Sequence, residues 1–224
     1  MRVIYMKYRS LMLVFFLVSA LVSANTAFAT PNEIFIIRHA DKLNKNPGPA
    51  LSPKGEIRAI AFAHYFMTTW QNHIPDFIFA TNPEGDTKKG LYVKGKSIRQ
   101  IQTVAPLVNM LAEKYPHRNF PIVHPYMNTE YQKLANDLLT KPEFDNKRVL
   151  ICWDHKLIPK LAKDLGVSED KLKKWPKDDY DTVYYIKFEG NKPQLEIFSK
   201  QYPVPISNDV TWESLYMKNR TISG

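Results

Sequence analysis

The stretch Ile34-Phe35-Ile36-Ile37-Arg38-His39-Ala40-Asp41-Lys42 decides the fold, because it joins an apolar run directly to charged residues. Four consecutive apolar residues, 34–37, are typical of a strand that is buried on both faces of a sheet. Such strands belong to parallel sheets covered by helices, whose ligands bind beyond the carboxyl ends of the strands. Arg38 and His39 follow the run at that end, so they are the first candidates for a functional site.

Apolar runs and amphipathic segments alternate along the rest of the chain. Ser52 and Pro53 predict a helix start, with serine as the N-cap and proline in the first turn. The predicted elements that follow are a strand at 77–80, a helix at 98–112, a strand at 122–123, a helix at 130–139, a strand at 149–153 and a helix at 159–165. Gly166 is placed as the cap of that last helix, and alternation around Glu189-Gly190-Asn191-Lys192 predicts a terminal hairpin. This order predicts a three-layer α/β/α fold with a mainly parallel sheet and a C-terminal β-hairpin.

The first residues have the pattern of an export signal. Basic residues precede an apolar run, 11–22, and the small residues after it end in Ala27-Phe28-Ala29. A basic segment, an apolar segment and an A-x-A site are typical of a cleavable signal peptide. We expect residues 1–29 to be removed, which leaves one domain over 30–224 in the periplasm or outside the cell. The apolar run is shorter than the roughly 20 residues of a membrane span, and an uncleaved anchor is the alternative.

Charge and cysteine content narrow the possible partners. The formal net charge is +9, and removal of the leader leaves a modest positive excess. Lysines concentrate between residues 141 and 177 without interleaved aromatics, which indicates a solvated face and predicts no nucleic-acid partner. Cys152 is the only cysteine, so no intrachain disulfide forms, and its apolar surroundings in the sequence predict a buried, inert thiol. The histidines show no metal-ligand spacing, and after leader removal we expect no membrane contact.

Four polar side chains from distant parts of the chain are predicted to meet at the carboxyl edge of the sheet. Arg38 and His39 end the first strand, Arg99 lies in the first turn of the helix after the second strand, and His155 follows the strand at 149–153. Arginine forks and the free N–H groups of helix N-termini both match phosphate. Each residue alone is a weak signal, whereas their shared placement predicts an anion pocket.

These residues stand in four motifs that resemble those of the histidine phosphatase (phosphoglycerate mutase-like) superfamily. Residues 36–42 resemble its Arg-His-Gly/Ala signature, especially the Arg-His-Ala-Glu-Lys variants, and residues 51–59 are similar to its Leu-Thr-x-x-Gly-x-x-Gln-Ala stretch. Residues 99–104, Arg-Gln-Ile-Gln-Thr-Val, resemble the second arginine motif, Arg-Ala-x-Gln-Thr-Ala. Residues 151–159 resemble the segment that carries the second histidine. The resemblance runs from about Glu33 to the terminal hairpin, and four motifs in order make it specific.

The resemblance implies a phosphatase that needs neither a metal nor an organic cofactor. It implies that His39 attacks phosphorus in line and becomes phosphorylated, while Arg38, Arg99 and His155 hold the phosphoryl oxygens. Water then hydrolyses the phosphohistidine. The partner it implies is a small phosphorylated substrate or a phosphoprotein, with Lys42 flanking the pocket as a substrate-binding residue.

Many members of the family carry an acidic residue that donates a proton to the leaving oxygen. The motif of that residue has no clear match in this sequence, so two candidates stay open. Asp154, beside His155, is one, and Glu130 is the other. A turn from strand to helix is also where a capping aspartate is expected, so Asp154 is equally a candidate helix N-cap. Substrate choice is expected to depend on the loops at 82–96 and 117–128.

Two competing interpretations use other features of the same sequence. Gly90-Leu91-Tyr92-Val93-Lys94-Gly95-Lys96-Ser97 fits the P-loop pattern G-x-x-x-x-G-K-[ST] and predicts a nucleotide hydrolase or kinase. A P-loop should follow a strand directly, whereas polar residues at 82–89 separate this stretch from the strand at 77–80. A phosphate-binding protein without turnover would use the same pocket as a phosphatase. We favour an exported phosphomonoesterase with a phosphohistidine intermediate.

Overall fold

The computed structural model describes residues 29–43, 48–83 and 97–202. The predicted leader, apart from Ala29, and all of the P-loop-like stretch except Ser97 lie outside the described residues. The helices and strands, in chain order, are β1 (Glu33–Arg38), α1 (Pro53–Thr69), β2 (Phe77–Ala80), α2 (Arg99–Lys114), β3 (Ile122–Val123), α3 (Tyr131–Thr140), β4 (Arg148–Trp153), α4 (Ile158–Asp164), β5 (Val183–Glu189) and β6 (Lys192–Phe198). Each predicted element is present, with shifts of one or a few residues at its ends.

The strands form one mixed sheet in the order β3-β2-β4-β1-β5-β6. The first four of these run parallel to one another, and β5 and β6 are added as an antiparallel hairpin. The mainly parallel sheet and the terminal hairpin are therefore both confirmed. Because β1 and β4 are parallel neighbours, with Arg38 opposite Trp153, the residues that follow these two strands leave the sheet side by side.

The apolar run of β1 explains the three layers. All six residues of the strand are buried, and alternate side chains point to opposite faces. Ile34 and Ile36 belong to the core that includes residues of α3 and α4, whereas Phe35 and Ile37 belong to the core that includes residues of α1 and α2. Full burial of such a side chain stabilises a fold by about 1.5–3 kcal/mol, so the central strand is anchored from both sides.

Helix α1 starts as predicted and fixes the turn that follows β1. The Ser52 hydroxyl accepts a hydrogen bond from the Gly55 N–H at 3.1 Å, and Pro53 is the first helical residue. Gly55 lies against the backbone of Asp41, so that a Cβ at residue 55 would lie 2.1 Å from the Asp41 carbonyl oxygen. Only glycine allows this approach between the helix and the turn.

Two glycines with positive φ end elements where the sequence predicts them. Gly166 has a φ of 93° and follows α4, and Gly190 has a φ of 61° in the two-residue turn between β5 and β6. Cys152 is fully buried, and burial raises the pKa of its thiol, as expected of an inert cysteine. Among the described helices, none combines the length and apolarity needed to cross a bilayer.

Candidate active site

The carboxyl edge of the sheet brings the ends of β1 and β4 together. The His39 backbone N–H donates to the Trp153 carbonyl at 3.2 Å, which continues the pairing of the two strands by one residue. Arg38 and His39 on one chain segment therefore lie beside Asp154 and His155 on the other. Electrostatic interactions with Arg38, Arg99 and Asp154 act on the His39 imidazole.

His39 is held in a single tautomer that suits a nucleophile. Its side chain is almost fully buried, and Nδ1 lies 2.8 Å from the Ala40 carbonyl oxygen. A carbonyl can only accept a hydrogen bond, so Nδ1 carries the proton and Nε2 carries the lone pair. Burial lowers the pKa of His39 to about 4, and the positive charges of Arg38 and Arg99 act in the same direction against the opposing Ala40 hydrogen bond. At neutral pH the imidazole is uncharged and its Nε2 is able to attack an electrophile.

Arg38 is buried without a carboxylate partner within the described part of the chain. Its Nη1 donates to the carbonyl oxygens of Lys177 and Asp179 at 2.7 and 2.8 Å. The guanidinium carbon lies 3.7 Å from the centre of the Tyr180 ring. Burial lowers the pKa of Arg38, and its buried Nε–H donates to no acceptor among the described residues.

Arg99 starts helix α2, as the sequence predicts, and faces the same region. Its Nη1 donates to the Gly48 carbonyl oxygen at 2.6 Å, while its Nε–H is buried and meets no described acceptor. Burial lowers the pKa of Arg99, and the negative charge of Asp154 raises it. One helical turn later, the Thr103 hydroxyl donates to the Arg99 carbonyl at 2.7 Å and accepts from the Ala40 N–H at 2.9 Å. Thr103 therefore ties the start of α2 to the turn after His39.

His155 and Lys42 complete the group of basic side chains. Burial and the neighbouring Arg38 charge lower the pKa of His155, whose Nδ1 is buried without a hydrogen bond and lies 3.7 Å from Asp154 Oδ1. Burial, and then the charges of Arg99 and Arg38, lower the pKa of Lys42. The predicted site residues are thus within one another's electrostatic fields.

The arrangement suits an anion. Two buried guanidinium N–H groups, at Nε of Arg38 and Arg99, have no protein acceptor in the described ranges. A buried donor without an acceptor costs about 1–3 kcal/mol, and more when it is charged. A phosphoryl group carries both the charge and the acceptor oxygens that would recover this free energy. No group of three or more His, Cys, Asp or Glu side chains in residues 29–43, 48–83 and 97–202 is placed to hold a metal ion.

The two candidate proton donors have different surroundings. Asp154 Oδ1 accepts the Lys156 backbone N–H at 2.8 Å, and its charge acts on His39 and both site arginines. The N-cap of α4 is Leu157, and Asp154 lies three residues before it. The interpretation of Asp154 as the helix N-cap is therefore wrong. Glu130 lies in a short 3₁₀ turn (Asn128–Glu130), where its Oε2 accepts the backbone N–H of the residue before that turn at 2.8 Å.

Sequence reasoning missed the residues that support the pocket. Tyr180 stacks on Arg38, and Asp179 provides one of the carbonyls that hold it. Arg58 Nε donates to Asp41 Oδ2 at 2.5 Å, which fixes the turn after His39. Arg58 and Thr103 lie inside the recognised motifs, but Asp179 and Tyr180 lie in an irregular segment without a periodic pattern.

A cleft of about 490 Å³ opens beside the pocket. Lys42 and Tyr180 line it together with residues of the turn after β1 and of the α1 start. Lys42 and Tyr180 connect the cleft to the basic side chains, because charge interactions link Lys42 to both site arginines and the Tyr180 ring lies over Arg38.

Known structures share this fold, although no family model and no curated protein matches the sequence. A candidate alpha-ribazole-5′-P phosphatase from Escherichia coli K-12 is 10% identical with a TM-score of 0.50, over 80% of this chain and 100% of its own. Phosphoserine phosphatase from Entamoeba histolytica is 13% identical with a TM-score of 0.46, over 76% of this chain and 98% of its own. Phosphoglycerate mutase from Plasmodium falciparum is 14% identical with a TM-score of 0.44, over 82% of this chain and 99% of its own. At these identities the likeness concerns the fold alone, and the chain has the histidine phosphatase fold that the motifs implied.

Proposed function

We propose that this chain is an exported phosphomonoesterase that hydrolyses a phosphate ester through a phosphohistidine at His39. The observation that carries the proposal is a buried, neutral imidazole with a free Nε2 beside two arginines whose Nε–H groups have no described acceptor. A nucleophile next to unsatisfied cationic donors is the arrangement that phosphoryl transfer requires. The leader-like pattern at residues 1–29 supports the export part of the proposal.

In the first step, the Nε2 lone pair of His39 attacks phosphorus while the bond from phosphorus to the ester oxygen breaks. The proton stays on Nδ1, which donates it to the Ala40 carbonyl oxygen as a hydrogen bond, so the imidazole enters the step in one orientation. Arg38, Arg99 and His155 bind the phosphoryl oxygens and offset the charge that develops on them. In the second step, water attacks phosphorus, the bond from phosphorus to Nε2 breaks, and inorganic phosphate leaves.

Asp154 is the better placed of the two candidate proton donors. Its carboxyl group lies in the field of His39, and the Lys156 N–H orients it. Glu130 instead accepts the backbone N–H of Met127, the residue before its short turn. We therefore assign to Asp154 the transfer of a proton to the leaving oxygen, and the removal of a proton from water in the second step.

The test of the intermediate is acid-quench labelling with a ³²P-labelled monoester. We expect an acid-labile, base-stable phosphate on His39, and no label in His39→Ala. His73→Ala is the matched control because His73 pairs with Glu33 at the opposite edge of the sheet. Turnover without label on His39 would refute the mechanism. Tight binding of inorganic phosphate without any turnover would favour the binding protein, and loss of turnover in Lys96→Ala as complete as in His39→Ala would favour the P-loop interpretation.

The test of the proton donor compares Asp154→Asn with Glu130→Gln. Loss of the acid matters most for a poor leaving group, so Asp154→Asn should slow an alkyl phosphate by about 10²–10⁴ and p-nitrophenyl phosphate much less. Glu130→Gln should show no such dependence on the leaving group. The reverse pattern would transfer the role to Glu130.

The test of export is N-terminal sequencing of the protein from the periplasmic or extracellular fraction. Processing at the predicted site gives Thr30 as the first residue. A chain that keeps residues 1–29 and sediments with membranes would instead favour the uncleaved anchor.

A further inference from the structure

Arg38 has two different edges, and the fold occupies only one of them. The guanidinium has five N–H donors, two on each terminal nitrogen and one on Nε. Both donors of Nη1 are used by the carbonyl oxygens of Lys177 and Asp179, at 2.7 and 2.8 Å. Within the described chain, Nη2 and Nε donate to no acceptor. The edge formed by Nε and Nη2 is therefore the one left for a bidentate contact with an oxyanion.

Both carbonyls and the ring that covers Arg38 come from residues 175–182, which we call the pre-β5 loop. Tyr180 places its ring 3.7 Å from the guanidinium carbon, and its centroid lies 6.3 Å from that of the His39 ring. Carbonyl dipoles and an aromatic face attract a cation without neutralising it. A carboxylate in the same position would bind Arg38 more tightly and would compete with a phosphoryl group for it.

The pre-β5 loop is held in shape by contacts that do not involve Arg38. The Asp179 carboxylate accepts the N–H groups of Asp181 and Thr182 at 3.2 and 3.1 Å and the Thr182 hydroxyl at 2.7 Å. The indole N–H of the buried Trp175 donates to the Asp179 carbonyl at 3.0 Å. Asp181 also pairs with Arg58 at 3.3 Å. The loop therefore has a fixed conformation to which Arg38 is fitted.

We propose that the pre-β5 loop positions Arg38 for the transferred phosphoryl group, with Tyr180 and Asp179 as positioning residues. The loop engages Nη1, fixes the plane of the guanidinium against the Tyr180 ring, and leaves the edge of Nε and Nη2 for the phosphoryl group. This inference rests on the proposed function, because it gives Arg38 a phosphoryl group to bind.

The experiment is a double-mutant cycle between Tyr180 and Arg38. Tyr180→Leu removes the aromatic face and should lower kcat by about 10- to 100-fold, the loss typical of a misplaced catalytic group, with a smaller change in KM. Tyr180→Phe keeps the face and should recover most of that loss. In an Arg38→Met background, Tyr180→Leu should cause no further loss. Equal losses in both backgrounds would overturn the inference, because Tyr180 would then act independently of Arg38.

Two further variants separate positioning from a general effect on folding. Tyr115→Leu makes the same change just beyond the far end of α2, a helix that spans about 24 Å from Arg99, and should leave kcat unchanged. Asp179→Asn keeps the shape of the side chain but replaces one acceptor oxygen by a donor, so it should lower kcat in the wild-type background and not in Arg38→Met. If Tyr180→Leu does not fold, this second cycle decides the question by the same criterion.

A binding measurement keeps the inference distinct from the proposed function. Tungstate affinity, measured by calorimetry, should fall at least several-fold in Tyr180→Leu and should not fall further in the Arg38→Met background. If His39 carries label but the cycles show no coupling, the loop inference is wrong and the phosphatase stands. If His39 carries no label but tungstate affinity shows the coupling, the loop positions Arg38 in a binding protein.

Discussion

Each end of β1 carries a buried charged residue, and the contacts around the two charges differ. At the amino end, Glu33 Oε2 accepts a hydrogen bond from His73 Nδ1 at 2.6 Å and lies 3.8 Å from Arg148 Nε. At the carboxyl end, Arg38 has no carboxylate within 4 Å among the described residues, and only carbonyls and a ring hold it. Both residues are about equally inaccessible, at 5% and 1% of their surface. Burial alone therefore does not decide whether a charge is neutralised.

The difference separates an end whose buried charge is paired from an end whose buried charge has no carboxylate partner, and it supports the proposed ligand site at the second end. A compensated buried charge supports the sheet, whereas an uncompensated one lowers stability until an ion of opposite sign binds. The carboxyl end also contains the imidazoles whose pKa values burial depresses, and such perturbed groups concentrate at functional sites. The amino end is where the fold is secured.

The largest expected effect is on catalysis at the carboxyl end. Arg38→Met should lower kcat for a phosphate monoester by about 10²–10³, because the developing charge on the phosphoryl oxygens loses a preorganised donor. Arg118→Met is the matched control, since Arg118 pairs with Asp76 at the amino edge and should leave kcat unchanged. Steady-state kinetics on both variants makes the comparison. Equal losses would abolish the functional distinction between the two ends.

The next effect is the dependence of stability on pH at His39. The folded-state pKa of about 4 lies below the ordinary value of 6.5, so below pH 6.5 the unfolded chain takes up a proton that the folded chain does not. The free energy of unfolding should therefore be highest above pH 6.5 and should fall by about 3 kcal/mol as the pH drops to 4. Urea denaturation of the wild type and of His39→Gln in phosphate-free buffer measures this. An equally steep fall in the variant would contradict the assignment to His39.

The third expected effect is on the free energy of unfolding and concerns the turn after β1. Gly55→Ala places a Cβ against the Asp41 carbonyl oxygen, which belongs to the backbone and cannot move aside easily. Overpacking of this kind lowers stability by about 1–3 kcal/mol. Gly48→Ala, where a Cβ meets no atom within 4 Å, should change the free energy of unfolding by little. If chemical denaturation gives the same value for both variants, the close contact is not what fixes this turn.

The smallest effect lies at the amino end. Glu33→Gln removes the charge that pairs with His73 and should reduce the free energy of unfolding by about 1 kcal/mol. Because the residue is at the opposite end of the strand from the pocket, kcat should not change. Thermal unfolding and steady-state rates on the same preparation test both statements. A drop in kcat without a drop in stability would show that the two ends are coupled.

The fold could be predicted from the sequence because its elements follow local patterns. The continuous apolar run before Arg38, the serine and proline at 52 and 53, and the glycine at 190 each specify a strand, a helix start or a turn by themselves. The parallel order of the strands then brings His39 and His155 to one edge. These parts needed no knowledge of distant contacts.

The support of the pocket could not be predicted in this way. Asp179 and Tyr180 contact Arg38 across about 140 residues of chain, from a segment whose shape depends on side-chain hydrogen bonds instead of periodicity. The proposed preference for Asp154 over Glu130 likewise rests on which backbone N–H each carboxylate accepts. Such contacts have no signature in residue spacing.

The adjacency of β1 and β4 bears on how new specificities could be engineered here. The candidate nucleophile and the second histidine follow the two innermost strands, whereas the segment at 117–128 includes β3, the outermost strand on one side of the sheet. Asn128 accepts the indole N–H of Trp153 in β4 at 3.2 Å, so a designer would keep this residue and vary the part of the segment before it. Libraries built on this scaffold should therefore change selectivity more readily than reaction type.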